Sequence, residues 1–162
     1  MERVLGHVAL IFAVGAVGVG AALASSTAKT EFTARYSGTV AVVANGDAVT
    51  ASPNGNGKGT LVGRSTLTGT VSGTTANPPC SPLAGRSLIS GAKSTLKLAP
   101  VKGSHACVAD QDDSNNVSFS GSVKVTGGTG ALKKARGTLH FSGHYHHDTG
   151  AFTVKLTGTL SH

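Results

Sequence analysis

Beyond residue 24 the chain alternates. In "VSFSGSVKVT", Val117, Phe119, Gly121, Val123 and Val125 fall on one side and Ser118, Ser120, Ser122, Lys124 and Thr126 on the other, as successive side chains of an extended strand do. "AFTVKLTGTL" repeats this, with Phe152, Val154, Leu156, Gly158 and Leu160 set against Thr153, Lys155, Thr157 and Thr159. Phe32, Tyr36, Gly38, Val40 and Val42 share a face, as do Leu61, Leu67, Gly69 and Val71. No stretch holds a helical apolar period for about ten residues, so the expected class is all-β.

Two further strands are predicted over residues 86–98 and 101–109, joined by a turn at Pro100. Turns are predicted at Asn45-Gly46, in "SPNGNGKG" (52–59), "TTANPPCSP" (74–82) and "DQDDSNN" (110–116), and over residues 148–150, where Gly, Pro, Asn and Asp cluster. The count comes to about eight strands. Gly38, Gly69, Gly121, Gly143 and Gly158 each fall on the apolar face of a strand. Glycine there weakens a strand and commonly marks sharp coiling or close approach, which favours a small closed antiparallel barrel over an open sandwich. The recurring Gly-Thr-Leu/Val units lack a fixed period, so they read as repeated strand chemistry rather than a solenoid.

The N-terminus changes the expected location. A basic start at Arg3, an apolar run from Val8 to Leu23 and the small residues Ala22 and Ala24 predict a signal peptide, residues 1–24. The competing reading, an uncleaved anchor, has a run short of the ~20 residues a bilayer span needs. Ser25 to His162 then form a single domain, secreted or retained in the periplasm or envelope. In an oxidising compartment the two cysteines, Cys80 and Cys107, are expected to pair with each other, for about 3 kcal/mol on a chain-entropy model. Two unpaired buried thiols are the alternative.

Charge and composition narrow the partners. The formal charge is +7, from 14 Lys and Arg against 7 Asp and Glu, which suits anionic neighbours such as an envelope polymer. There is no Trp, and the cations are scattered along the chain, so a stacking platform for specific nucleic-acid binding is missing. Carboxylates are too few for paired-carboxylate chemistry, and no cofactor is expected.

Several short motifs carry weak chemistry. Gly127-Gly128-Thr129-Gly130 with Lys133, Lys134 and Arg136 nearby offers amides and cations to a phosphate, without the ending of a P-loop. Asp110, Asp112, Ser114 and Asn116 have calcium-loop spacing, but Gly121 stands where a bidentate glutamate would close the shell. Asn116-Val117-Ser118 is a glycosylation sequon. Ser94 and Lys97 match a serine-lysine nucleophile pattern without its helical setting.

"LHFSGHYHHDTG" packs His140, His144, His146 and His147 into one segment. Parity turns Leu139, Phe141, Gly143 and Tyr145 inward and His140, Ser142, His144 and His146 outward. His140 and His144 are separated by about 13 Å along a strand. His144 and His146 could share a metal ion with Asp148 as third ligand, or make a protonation-dependent surface contact, or simply form a wet strand face. His147 is expected to face inward at the rim.

"SVKVTGGTGALKKARGTLHFSG", Ser122 to Gly143, resembles the strand, "GGTG" turn and "ARG" strand start of the dirigent and allene-oxide-cyclase-like barrels, and "GKGTLVGRSTLTGTVSG", Gly57 to Gly73, resembles an early strand pair of bacterial secreted members. The resemblance implies an eight-stranded barrel, often a homo-oligomer, with a cavity for an apolar small molecule. The polar and acidic cavity groups of the catalytic members have no counterpart here. The leading expectation is a noncatalytic binding barrel with Tyr36, Phe119, Phe141, Tyr145, Phe152 and His147 at the ligand. A dirigent-like or cyclase-like isomerase is the alternative, and a structural or adhesive envelope protein, with a solid interior, is the third.

Overall fold

A computed structural model describes residues 29–76, 78–110 and 113–162. The expected signal peptide lies outside them, as does Asp112 of the calcium-like loop. Ten antiparallel strands follow one another: β1 (Lys29–Asn45), β2 (Ala48–Gly59), β3 (Gly63–Thr74), β4 (Cys80–Pro82), β5 (Ala84–Gly91), β6 (Thr95–Pro100), β7 (His105–Asp110), β8 (Asp113–Gly128), β9 (Arg136–His146) and β10 (Ala151–Ser161).

Only Leu83 separates β4 from β5, and residues 101–104 separate β6 from β7. Ser90 pairs with Thr95 at one end of this hairpin and Cys80 with Cys107 at the other, so β4/β5 and β6/β7 each act as one bent stave. β1 pairs with both β2 and β10, and β9 with both β10 and β8. The result is the expected closed barrel of eight antiparallel staves, in which no stave is left as a free edge along its whole length.

The two ends differ. At the end where β1 begins, Phe32, Leu96, Leu139 and Leu160 are fully buried, and Leu132 and Ala135 of the β8–β9 connection fold in as a plug. Burying a leucine of this kind contributes about 1.5–3 kcal/mol. The "GGTG" motif builds that plug. The Thr129 amide donates to the Thr95 carbonyl at 3.2 Å, and the Leu132 and Lys133 amides donate to the Thr129 and Gly130 carbonyls, which holds the connection together and takes the Thr129 amide out of any phosphate cradle.

Three sequence expectations are corrected. "SPNGNGKG" is strand β2, not a turn: Gly55, Gly57 and Gly59 face the lumen while Asn54, Asn56 and Lys58 face out. Leu61 is not a core strand residue; it sits in the β2–β3 turn with φ 68° and is exposed. The single strand expected over residues 86–98 is split by a hairpin turn at residues 92–94 into β5 and β6, while the turn expected at Pro100 follows directly at residues 101–104, with Pro100 ending β6 opposite Val123.

Glycine makes the narrow lumen packable. A Cβ on Gly57 would stand 2.6 Å from the Tyr36 ring, and one on Gly55 would stand 2.7 Å from the Phe152 ring. The Tyr36 ring fills the volume left by Gly57 on the next strand, and the Phe152 ring reaches across β1 to the volume left by Gly55.

Candidate functional site

Strand parity and burial together locate the open end. Along the inward row of β1, Phe32, Ala34 and Tyr36 are buried, Val40 is half-buried and Val42 is exposed. The same gradient runs along β8 and β9. Val123 and Leu139 are buried, whereas Phe119, Phe141 and Tyr145 are half-buried against the core. The site is therefore a shallow apolar mouth at the end where β1 meets β2, walled by Val40, Val71, Val117, Phe119 and Tyr145. Val42 and Val43 project above it on the β1–β2 hairpin, and Val43 is 67% exposed.

The expected ligand residues divide into two groups. Phe119 and Phe141 form a tilted ring pair with centroids 6.3 Å apart beneath the mouth. Tyr145 lies directly opposite Val117, and burial raises its phenol pKa above the ordinary value. His147 has left strand β9 for the following turn, where it is exposed beside the mouth with its ring edge-on to Tyr145 at 6.4 Å. Tyr36 and Phe152 are instead withdrawn into the core, at 2% and 4% exposure. The Tyr36 hydroxyl shares a 2.8 Å hydrogen bond with Ser65 Oγ. Burial raises its pKa, and the Ser65 bond lowers it by less.

The lumen is chemically plain. Among the strand residues whose side chains are described, every carboxylate, cation and imidazole has outward parity, and the polar groups inside are hydroxyls such as those of Tyr36, Ser65 and Tyr145; the backbone register pairs Asp110 with Asp113 at the mouth end of β7 and β8. No buried side-chain nitrogen or oxygen among them lacks a partner. Ser104, 2% exposed, donates to the Ser122 carbonyl at 2.9 Å and accepts the Ser122 amide at 3.2 Å.

Cys80 and Cys107 are joined, on the outer side of the mouth where Cys107 lies opposite Ser118. A formed disulfide suits a non-reducing compartment. No helix among the described residues is long and apolar enough to cross a membrane.

The histidines face outward as parity requires. His140 Nδ1 and Ser122 Oγ are hydrogen-bonded at 2.9 Å, and His144 lies between Ser118 and Thr153. Asp148 stands 4.0 Å from His147 Nδ1. No group of three or more His, Cys, Asp or Glu side chains among the described residues is gathered to hold a metal.

Two recesses, about 500 and 340 Å3, lie on the outer wall across β9, β10, β1 and β2. Sequence parity found the lumen but not these recesses, because they arise where separate strands are brought side by side. Neither a protein-family model, nor a curated protein, nor a solved structure matches this chain.

Proposed function

We propose that this barrel is a secreted, noncatalytic binding module that takes an apolar small molecule, or the apolar part of a surface partner, at its mouth. One observation carries the reading: one end of the lumen is plugged by Leu132, while the other leaves Phe119, Phe141 and Tyr145 only half-buried under a rim of valines. Half-buried aromatic rings surrounded by hydrocarbon and a few hydroxyls are what an apolar ligand site needs. An isomerase of the dirigent or allene-oxide-cyclase type would need an acid or base at the ligand, and the strand acids and bases whose side chains are described turn outward. The eight-stave barrel and the use of "GGTG" to join β8 to β9 are compatible with kinship to those barrels, and the disulfide favours export.

Nile red, an uncharged dye that brightens in apolar surroundings, tests the mouth. The protein is expected to enhance its fluorescence saturably, and Val117→Arg, which sets a cation among the mouth residues, is expected to abolish the enhancement with the fold intact. Absence of enhancement in the unsubstituted protein would refute the reading, as would an equal response from Val117→Arg.

A further inference from the structure

The cations that look scattered along the sequence meet on the barrel wall. Lys155 of β10 lies opposite Arg35 of β1, Arg35 opposite Lys58 of β2, and Lys58 opposite Arg64 of β3. All four are exposed. With strands about 4.8 Å apart, they form one row about 14 Å long. Like charges set directly opposite in a sheet repel. None of the four has an ion-pair partner among the described residues; the acid nearest along β1 is Glu31, roughly 13 Å away. The acids Asp47 and Asp148 belong to turns at the mouth.

A recess of about 500 Å3 lies at the Lys155–Arg35 half of this row, lined by Arg35, Lys155, Ser37, Asn56, Thr153 and His144. Hydroxyl and amide groups thus flank the cations on the mouth side.

We propose that the row is a binding site for an acidic polysaccharide, whose carboxylate or sulfate groups contact Arg35, Lys58, Arg64 and Lys155 while its hydroxyls meet Ser37, Asn56 and Thr153. An extended polyanion relieves the repulsion among four adjacent cations and releases its own counterions. The chemistry of the flanks selects sugar over other polyanions. The aromatic side chains of β1, β8, β9 and β10 turn inward, so nucleic-acid bases find no ring to stack on. A single exposed large apolar side chain, Leu61 of the β2–β3 turn, stands near the Lys58–Arg64 end of the row, short of the apolar face that a lipid surface takes up. The site is separate from the mouth and stands or falls independently of it.

The test is calorimetric titration with oligogalacturonate of about ten sugars at low and moderate salt. The unsubstituted protein is expected to bind, more weakly as salt rises. Arg35→Gln/Lys155→Gln and Lys58→Gln/Arg64→Gln should each lose at least tenfold in affinity, while both should melt no lower than the parent because repulsion is removed. Lys133→Gln/Lys134→Gln, which removes the same charge at the plugged end, should lose less than threefold. Equal losses in all three variants would make the effect one of net charge and overturn the site. Failure to bind the oligosaccharide would overturn it too, as would tighter binding of single-stranded DNA or of anionic vesicles at matched charge and salt.

Discussion

The ring of Phe119 lies over Gly143 on the neighbouring strand, so near that a Cβ on Gly143 would stand 2.5 Å from its Cζ. The two residues face each other across β8 and β9, at the level where the solid lower core gives way to the mouth. Bulk on one strand and its absence on the next are thus a single packing decision.

Gly143→Ala should therefore destabilise the barrel by about 1–3 kcal/mol, since the added methyl meets both the ring and the Thr153 carbonyl on the other side. Urea unfolding measures it. Adding Phe119→Leu to Gly143→Ala should cost less than the two changes summed, because the smaller side chain frees part of the contested volume. Full additivity would show that the ring and the glycine are energetically unconnected.

The same pairing explains what the sequence concealed. Strands with Val, Phe and Leu on alternate positions, such as β8 and β10, are legible because their apolar face has a signal of its own. β2 has that alternation in "PNGNGKG", but its inward face is Gly55, Gly57 and Gly59, whose packing volume is supplied by Phe152, Tyr36, Ala34 and Val62. Read locally it has the composition of a turn. The outward parity of His140, His144 and His146 was equally legible, whereas the row from Lys155 to Arg64 depends on register among four strands drawn from distant parts of the chain. No local pattern contains that register.

Alkaline pH probes the buried Tyr36. Its pKa is raised by burial, so the folded state holds the phenol proton more tightly than the unfolded chain does. The contribution is complete below the unfolded pKa of about 10 and is lost as pH rises through that value toward the folded pKa. Tyr36→Phe should weaken the decline in melting temperature above pH 10. At neutral pH it should cost about 1 kcal/mol through the lost bond to Ser65. An unchanged alkaline decline would assign the effect to other groups.

The disulfide ties β4 to β7 at the mouth, closing a loop with a sequence separation of 27. Cys80→Ser/Cys107→Ser should lower stability by about 3 kcal/mol. Hydrogen exchange should show the loosening first at β4 and β7. β4 has three residues, pairs in the sheet with β7 and otherwise receives the Thr74 amide on Ser81 Oγ at 2.6 Å, so the cross-link is a large share of what fixes it. Equal acceleration at the plug around Leu132 would mean that the bond stabilises only by global unfolding thermodynamics.

Leu61 and Gly63 occupy one tight turn with the same backbone requirement and opposite side-chain supply. Leu61 has φ 68° and Gly63 φ 65°, a region that costs an L-residue roughly 1–2 kcal/mol. Leu61 keeps 38% of its surface exposed, so burial returns only part of what a core leucine gains. Leu61→Gly should remove the strain and stabilise by up to about 1 kcal/mol, after the added freedom of the unfolded chain is deducted. Gly63→Ala should do the reverse by a similar amount. An added Cβ there meets nothing within 4 Å, so its cost would come from φ alone. Thermal unfolding of the two variants therefore reads backbone strain with packing held out of the comparison, and a destabilised Leu61→Gly would show that the exposed leucine contributes a contact larger than its strain.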